Sequence, residues 1–167
     1  YVLWVNRDER GFSNGGQFSD PRTGEILVAK PRMDSARVRT ISSYWQSYRP
    51  PTGDDGECGM FLAPIEALVG AAPFQAGPTA RGEQAVVLAR QALLTAHEVG
   101  HTLGFAHNWN SSINDRASVM EYPTPRVKLT AAKAIDLTDA YQSSIGEYDT
   151  FMVRYAYTPF PPDGERA

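Results

Sequence analysis

The chain contains very few of the residues by which several classes of protein are recognised. It has one cysteine, Cys58, and three histidines among 167 residues. A single cysteine excludes a disulfide within the chain and a metal cluster made of several thiolates. The 16 basic and 19 acidic residues are interleaved along the sequence. Because no surface of one charge is predicted, the charge pattern gives no reason to expect a nucleic-acid partner.

Long apolar runs are also lacking. No run approaches the roughly 20 apolar residues that a membrane-crossing helix needs, so we expect no transmembrane segment in this sequence. The apolar fraction of 42% is nevertheless sufficient for one buried core. The chain starts at Tyr1, and residues 158–164 are rich in proline, as in a linker. We therefore expect one domain that is a piece of a larger precursor.

Apolar runs separated by turns predict a mixed α+β fold. Residues 1–6 and 25–30 are β-prone, and a turn-rich stretch that includes Gly15 and Gly16 lies between them. Residues 35–48 combine strand-like alternation with helical spacing, which favours a strand that continues into a helix. The first part of the chain thus predicts a small twisted sheet.

The strongest predicted helix covers residues 81–103. It is rich in helix-forming residues, has no proline, and is followed by Gly104, a residue typical of helix ends. A shorter helix is predicted to open at Pro64. Residues 108–130 favour irregular structure, because turns are frequent and periodicity is weak. A final helix near 145–155 presents an apolar stripe formed by Ile145, Tyr148, Met152 and Tyr155.

These elements predict one domain that consists of two subdomains. Residues 1–107 form the N-terminal subdomain with the long helix, and residues 108–158 form the C-terminal subdomain. Residues 159–167 form a tail or linker. A chain of this length can fold as two small lobes around a cleft.

All three histidines fall close together in the sequence. His97 and His101 are four residues apart on the predicted helix, so their imidazoles lie about 40° apart and share one face. Zinc takes nitrogen ligands at about 2.0–2.1 Å, and a catalytic zinc uses three protein ligands with one position left open. The helix supplies only two of these ligands. Gly104 can end the helix in a left-handed conformation, so that His107 arrives as the third ligand.

Histidines at this spacing are often ordinary core or surface side chains. Here the chain has no other histidine, and a glutamate and a helix-ending glycine accompany the three. This combination predicts one catalytic zinc ion held by His97, His101 and His107. Nitrogen ligands also suit cobalt and nickel, so we expect those ions to bind in vitro.

Glu98 is predicted to be the general base of a hydrolysis reaction. It follows His97 directly and lies about 100° further around the helix, beside His101. Zinc lowers the pKa of a bound water toward about 7, and a neighbouring carboxylate can take its proton and later protonate a leaving amine. Most helix glutamates are merely solvated, but a position between two ligands favours the catalytic role.

A known protease signature matches this spacing: His97, Glu98, His101, Gly104 and His107. With the later run Ser118–Tyr122, which looks like a methionine turn, the chain resembles the metzincin metalloproteases. The resemblance implies that Met120 forms an apolar floor beneath the metal. It also implies that Tyr122, as in astacins and serralysins, is an additional metal ligand that can swing to stabilise the tetrahedral intermediate.

Longer stretches look like the catalytic module of large bacterial zinc-dependent metalloproteases, namely residues 4–7, 20–27, 97–108 and 118–123. Asn108, which follows the third histidine, matches none of the astacin, serralysin, reprolysin or matrixin patterns. The resemblance implies a zinc endopeptidase for protein or peptide substrates. It also implies an extracytoplasmic location, whether secreted, periplasmic or at the cell surface.

In metzincins a strand at the border of the cleft pairs with the extended substrate. By position, the predicted substrate-binding residues are those of the second β-prone run: Glu25, Ile26, Leu27, Val28, Ala29 and Lys30. The segment 122–130 would, by similarity, wall the pocket for the residue after the cut bond.

Metzincins usually place a strand and a long backing helix before the strand predicted at residues 1–6. This chain has no room for them. Either they belong to another part of the precursor, or residues 35–48 provide the backing helix.

Two other functions agree with parts of the sequence. A gluzincin peptidase takes its third ligand from a downstream glutamate, and Glu121 lies twenty residues after His101. However, Pro123 and Pro125 make the required helix through Glu121 improbable. A zinc-bound peptide-binding module without turnover is the second alternative, and the presence of Glu98 argues against it. The sequence does not predict the oligomeric state, the cleavage specificity or a role for Cys58 in latency.

Overall fold

A computed structural model of the chain describes residues 1–7, 12–47, 80–122 and 124–159. The helix predicted at Pro64, the thiol of Cys58 and most of the predicted tail lie outside these residues. The described residues contain three helices and three pairs of short strands, which confirms the predicted α+β fold. None of the described helices is both long enough and apolar enough to cross a membrane.

The first half of the chain contributes four short strands. They are β1 (Leu3–Val5), β2 (Gln17–Ser19), β3 (Ile26–Ala29) and β4 (Arg32–Asp34). Strand β1 pairs with β4 in parallel, and β2 pairs with β3 in antiparallel orientation. The strands predicted at residues 1–6 and 25–30 are therefore confirmed. Sequence patterns missed β2 and β4, because three residues are too few to show a period of two.

An isolated bridge connects the two strand pairs. Asn14 and Arg32 exchange both backbone hydrogen bonds, at 2.9 and 2.8 Å. On the opposite edge of β4, the N–H of Leu3 donates to the carbonyl of Pro31 at 2.9 Å. The strand that contains β4 thus lies between β1 and the segment 14–19. That segment forms an outer edge of this small sheet.

Two helices pack against each other behind the strands. They are α1 (Ala36–Ser47) and α2 (Ala80–Thr102). A buried apolar cluster joins them to the C-terminal part of the chain, and its members are Ile41, Trp45, Val86, Leu137 and Ala140. The helix predicted within residues 35–48 is confirmed, but the strand predicted at its start is wrong, because the helix already begins at Ala36 and β4 ends at Asp34. Helix α1 backs α2, as one of the two sequence-based alternatives requires.

The C-terminal part is mostly irregular, as predicted. It contains a 3-10 turn at Ser111–Asn114 and a small hairpin of β5 (Lys128–Leu129) and β6 (Ile135–Asp136). It ends in helix α3 (Glu147–Tyr157), close to the helix predicted near 145–155.

The predicted apolar stripe on α3 does not form a packing face. Ile145, Tyr148 and Tyr155 are exposed, and only Met152 of the four is partly buried. Polar contacts hold the helix instead. The carboxylate of Asp149 is buried at its first turn, and the hydroxyl of Tyr157 donates to the carbonyl of Leu103 at 2.7 Å. Helical spacing predicted the element correctly but not the face that it buries.

Candidate metal centre and active site

Two of the candidate ligands project from the last two turns of α2. The Nδ1–H of His97 donates to the carbonyl of Val119 at 2.7 Å, and the Nδ1–H of His101 donates to the carbonyl of Phe105 at 2.8 Å. A carbonyl oxygen can only accept, so each Nδ1 carries the proton. The lone pair of each imidazole is then on Nε2, which is the arrangement that metal-binding histidines use.

Gly104 ends the helix and redirects the chain toward these imidazoles. Its φ angle is 90°, in the region that favours glycine. The N–H of Gly104 donates to His101, and the N–H of Phe105 donates to Gly100, each at 3.1 Å. These two bonds form a Schellman motif, which satisfies carbonyls at the end of the helix. The chain reverses here and brings His107 back beside His101.

The three Nε2 atoms meet at one point. Nε2 of His101 lies 3.1 Å from Nε2 of His97 and 3.1 Å from Nε2 of His107. Two nitrogens bound at about 2.05 Å to a tetrahedral ion lie about 3.3 Å apart, so these spacings fit a zinc ion. Among the described residues, this is the one group of three metal-ligating side chains whose ligand atoms come together. The donor set therefore fits zinc.

The surroundings of two candidate ligands, His97 and His107, favour the neutral form of the imidazole. Burial is the largest cause that lowers the pKa of His97 to about 4; the neighbouring imidazoles act in the same direction, and the hydrogen bond to Val119 acts against them. Burial and His101 also lower the pKa of His107. A neutral imidazole has a free lone pair, so the site is prepared for a cation at physiological pH.

Glu98 lies beneath the segment 14–19 and is only 4% exposed. Burial raises the pKa of its carboxyl, while the N–H of Gly15 and the charges of His101, Arg37 and Arg90 act in the opposite direction. The chain at Gly15 packs directly on the helix: a Cβ at this position would lie 1.9 Å from the carbonyl oxygen of Glu98. Only glycine allows this approach.

The outer edge of the segment 14–19 faces the site. Asn14 pairs inward with Arg32, and the next N–H, that of Gly15, points to Glu98. At Gly104, an added Cβ would meet the side chain of Gln17 at 3.1 Å. Of the predicted substrate-binding residues Glu25–Lys30, Ile26–Ala29 form β3, but β3 pairs with the inner edge of the segment 14–19. No contact described for β3 reaches the histidines.

The Met-turn lies below the histidines. The side chain of Met120 is 3% exposed and packs in a cluster with Leu93 and Val119. Its Sδ fills the space over Gly100, where a Cβ would lie 2.3 Å from the sulfur. The N–H of Asn108 donates to the carbonyl of Met120 at 2.9 Å, which ties the loop of the third histidine to the turn.

Asp149 on α3 holds the Met-turn, a role that no sequence pattern indicates. Its carboxylate accepts from the Ser118 hydroxyl at 2.5 Å and from the N–H groups of Val119 and Gly146, each at 2.8 Å. Val119 is the residue whose carbonyl accepts from His97. A path of hydrogen bonds thus runs from α3 through the Met-turn to a ligand.

Tyr122 and Trp109 form an aromatic border at the site. The hydroxyl of Tyr122 lies 2.7 Å from Nε2 of His107, and its ring centroid is 4.6 Å from that imidazole. Trp109 contacts both rings, at centroid distances of 5.1 Å from His107 and 5.3 Å from Tyr122. Sequence reasoning singled out Tyr122 by its place after Met120 but missed Trp109. An exposed aromatic two residues after the third ligand was the available signal.

Glu121, the ligand of the gluzincin alternative, points elsewhere. The hydroxyls of Ser111 and Ser112 both donate to its carboxylate, the latter at 2.9 Å. The structure does not bring it to the histidines, because the 3-10 turn binds its oxygens.

Three features together define a metzincin-type centre. A helix supplies two histidines, the turn at Gly104 brings the third, and a methionine turn lies beneath them. A family model described as Met-zincin matches residues 79–167. The match covers more than half of the chain, and the chain belongs to this family. The predicted resemblance to metzincins is thereby confirmed. A search of the curated proteins found no match, and a search of the solved structures also found none.

Proposed function

We propose that the chain is a zinc-dependent endopeptidase. The observation that carries the proposal is the meeting of three Nε2 atoms at one point, with Glu98 and Tyr122 next to them. His97, His101 and His107 would hold the ion. Once bound, zinc supplies a Lewis acid that activates water and polarises the carbonyl of the bond to be cut.

Glu98 would move the proton. Its carboxylate takes a proton from the attacking water and delivers it to the amine that leaves. The N–H of Gly15 and the fixed backbone of α2 limit the rotation of this side chain, so the acceptor oxygen is held in one place. Preorganised groups of this kind lower the barrier without reorganisation during the reaction.

Tyr122 would stabilise the negative charge that develops on the carbonyl oxygen. Its hydroxyl lies close to a ligand nitrogen and is partly open to solvent, with the residue 56% exposed. A phenol at this position can donate a hydrogen bond to the oxyanion. The resemblance to astacins and serralysins supports the same role.

The substrate would extend along the outer edge of residues 14–19. This edge faces Glu98, and strand addition gives a peptide backbone partners that do not depend on its sequence. The geometry favours this edge over the predicted strand Glu25–Lys30, whose neighbour β2 lies between it and the site. The wall formed by residues after Tyr122 stays a prediction.

Digestion of casein and of quenched fluorescent peptides tests the proposal. We expect cleavage by the zinc-loaded chain, loss of cleavage with a chelator, and recovery on addition of zinc. The variant Glu98→Gln should keep its zinc and its fold and lose at least about a thousandfold in kcat/KM. Glu147→Gln is the matched control, because Glu147 is an exposed glutamate on α3.

Turnover by Glu98→Gln near the wild-type rate would refute the assigned base. If the zinc-loaded wild type cleaves no peptide and binds peptides only, the alternative of a binding module replaces the proposal. An extracytoplasmic location is proposed from the resemblance alone. Fractionation of the source cells tests it, and recovery of the protein only in the cytoplasm would contradict it.

A further inference from the structure

We propose that a pocket beside His107 binds one large apolar or aromatic side chain of the substrate, next to the bond that is cut. Trp109 is the residue that selects it. This inference rests on the proposed function, because it names the class of peptide that the site would cleave.

The position of Trp109 is the first observation. The side chain is bulky and apolar, yet it is 64% exposed. It lies against His107 and Tyr122, two groups at the candidate metal centre, with ring centroids 5.1 and 5.3 Å away. A substrate side chain near the cut bond therefore comes within reach of the indole. Covering such a surface is favourable, at about 25 cal/mol for each Å² of apolar area.

The second observation is a cavity of about 320 Å³ that shares His107 with the metal centre. This volume is at the lower end for ligand pockets, which suits one side chain better than a larger ligand. Its apolar lining includes Phe105, Trp109, Met120, Tyr148 and Met152. Thioether groups adapt their shape and contact aromatic rings favourably.

The charges around the cavity decide which chemical class of substrate side chain it can bind. Among the described residues of the lining, Asp149 is the only charged one, and its carboxylate already accepts three hydrogen bonds. The remaining polar lining includes the neutral amides of Asn108 and Asn110. An acidic substrate side chain would face the negative charge of Asp149, and a basic one would give up its hydration for a carboxylate that is buried and already accepts three hydrogen bonds. Phenylalanine, leucine and methionine carry no charge, so they would enter the cavity without this loss of hydration.

The test uses one peptide series in which the residues on either side of the cut bond are varied. With the wild type, we expect kcat/KM for phenylalanine or leucine at one of the two positions to exceed that for alanine by about 10- to 200-fold. Lysine and aspartate should be no better than alanine. Trp109→Ala should reduce the ratio of kcat/KM for the phenylalanine peptide to that for the alanine peptide by about tenfold or more. Trp109→Phe should retain most of the preference.

Trp4→Ala is the matched control. Trp4 is also exposed, at 54%, but it lies on β1, and its indole N–H bonds to Asn6. We expect no change in preference. Zinc content, measured for every variant, shows whether Trp109 acts on the substrate or only shields the ligands. An unchanged preference in Trp109→Ala, or an equal loss for all peptides, would overturn the inference.

A binding experiment distinguishes this inference from the proposed function. In the zinc-loaded Glu98→Gln variant, fluorescence anisotropy should show tighter binding of the phenylalanine peptide than of the alanine peptide, by about tenfold or more. Adding Trp109→Ala should remove this difference. If the wild type fails to cleave but the difference is present, the function fails and the pocket stands. Cleavage together with equal binding of both peptides overturns the pocket alone.

Discussion

At the scale of single residues, the candidate site depends on what lies behind each ligand. The Nδ1 protons of His97 and His101 are fixed by two backbone carbonyls, one from the Met-turn and one from the helix end. Ligand nitrogens that are oriented in this way lose little freedom when a metal binds. Their sequence spacing could predict the ligands, but not the carbonyls that orient them.

The close approach of Gly15 to Glu98 gives a prediction about one methyl group. In Gly15→Ala the new Cβ would overlap the carbonyl of Glu98, so the outer strand or the helix must move. We expect kcat/KM to fall at least about tenfold and the free energy of unfolding to fall by about 1–3 kcal/mol. Urea denaturation and peptide cleavage measure the two effects.

Gly16→Ala is the control for this change, because an added Cβ there meets no atom within 4 Å. The two variants make the same chemical substitution at neighbouring positions. If both behave alike, the contact with Glu98 does not explain the effect.

Tyr122→Phe removes one hydroxyl from the site. We expect kcat to fall about a hundredfold, in the range found when one donor to an oxyanion is removed, with KM much less affected. The three histidines remain, so zinc content should stay the same. Steady-state kinetics with metal analysis measure both quantities. An unchanged kcat would show that the hydroxyl near His107 is only a neighbour.

At the scale of elements, the sequence predicts the long helix α2 correctly and misses the three-residue strands β2 and β4. The long helix was placed within one residue at each end, since its composition and the following glycine both indicate it. The two glycines of the segment 14–19, Gly15 and Gly16, predict a turn there. One of them is there for close packing on Glu98, which sequence reasoning could not show. Pairing order therefore decided which strand borders the site.

Helix α3 supports the candidate metal centre through Asp149, although it supplies none of the three candidate ligands. In Asp149→Asn an amide nitrogen replaces one carboxylate oxygen: at the Oδ2 position it would leave the N–H groups of Val119 and Gly146 without their acceptor, and at the Oδ1 position it would leave the Ser118 hydroxyl without its acceptor. The Met-turn would shift, and with it the carbonyl that orients His97. We expect zinc affinity to fall about 10- to 100-fold, as when other outer partners of metal ligands are changed.

Competition with a fluorescent chelator measures that affinity. Asp136→Asn is the control, since Asp136 lies on the hairpin and accepts from Thr138. Equal zinc affinity for the wild type and Asp149→Asn would contradict the coupling between α3 and the ligand.

The hairpin is fixed by ionic contacts that predict a dependence on pH. The hydrogen bond from Lys128, with the charges of Arg116 and Arg126, lowers the pKa of Asp139 from 3.8 to about 2. A carboxyl with a lowered pKa in the folded state stabilises the fold above pH 3.8, and this contribution is lost as the pH falls toward 2.

Carboxyl carbon NMR can follow this titration directly. We expect a midpoint for Asp139 near 2 in the wild type, and a midpoint closer to 3.8 in Lys128→Met, because the main cause of the shift is removed. Arg154→Met, on the last turn of α3, should leave the midpoint in place. A wild-type midpoint at the ordinary value would show that these contacts do not persist in solution.

At the scale of the whole molecule, residues far apart in the chain close around one site. The segment 14–19 covers Glu98, α2 supplies two histidines, and the C-terminal part supplies the Met-turn and Tyr122. The motif could be predicted from the sequence because chemistry fixes its spacing. Contacts across long separations, such as that of Asp149 with Val119, depend on packing and leave no spacing rule.

The metal content of a small set of variants tests the central claim most directly. The account predicts one zinc ion per wild-type chain, with X-ray absorption showing three imidazole nitrogens at about 2.0–2.1 Å. His107→Ala should lose tight binding, while Glu121→Ala should keep it, because the carboxylate of Glu121 is held by Ser111 and Ser112. Undiminished zinc binding by His107→Ala, or its loss in Glu121→Ala with the fold intact, would contradict the three-histidine centre.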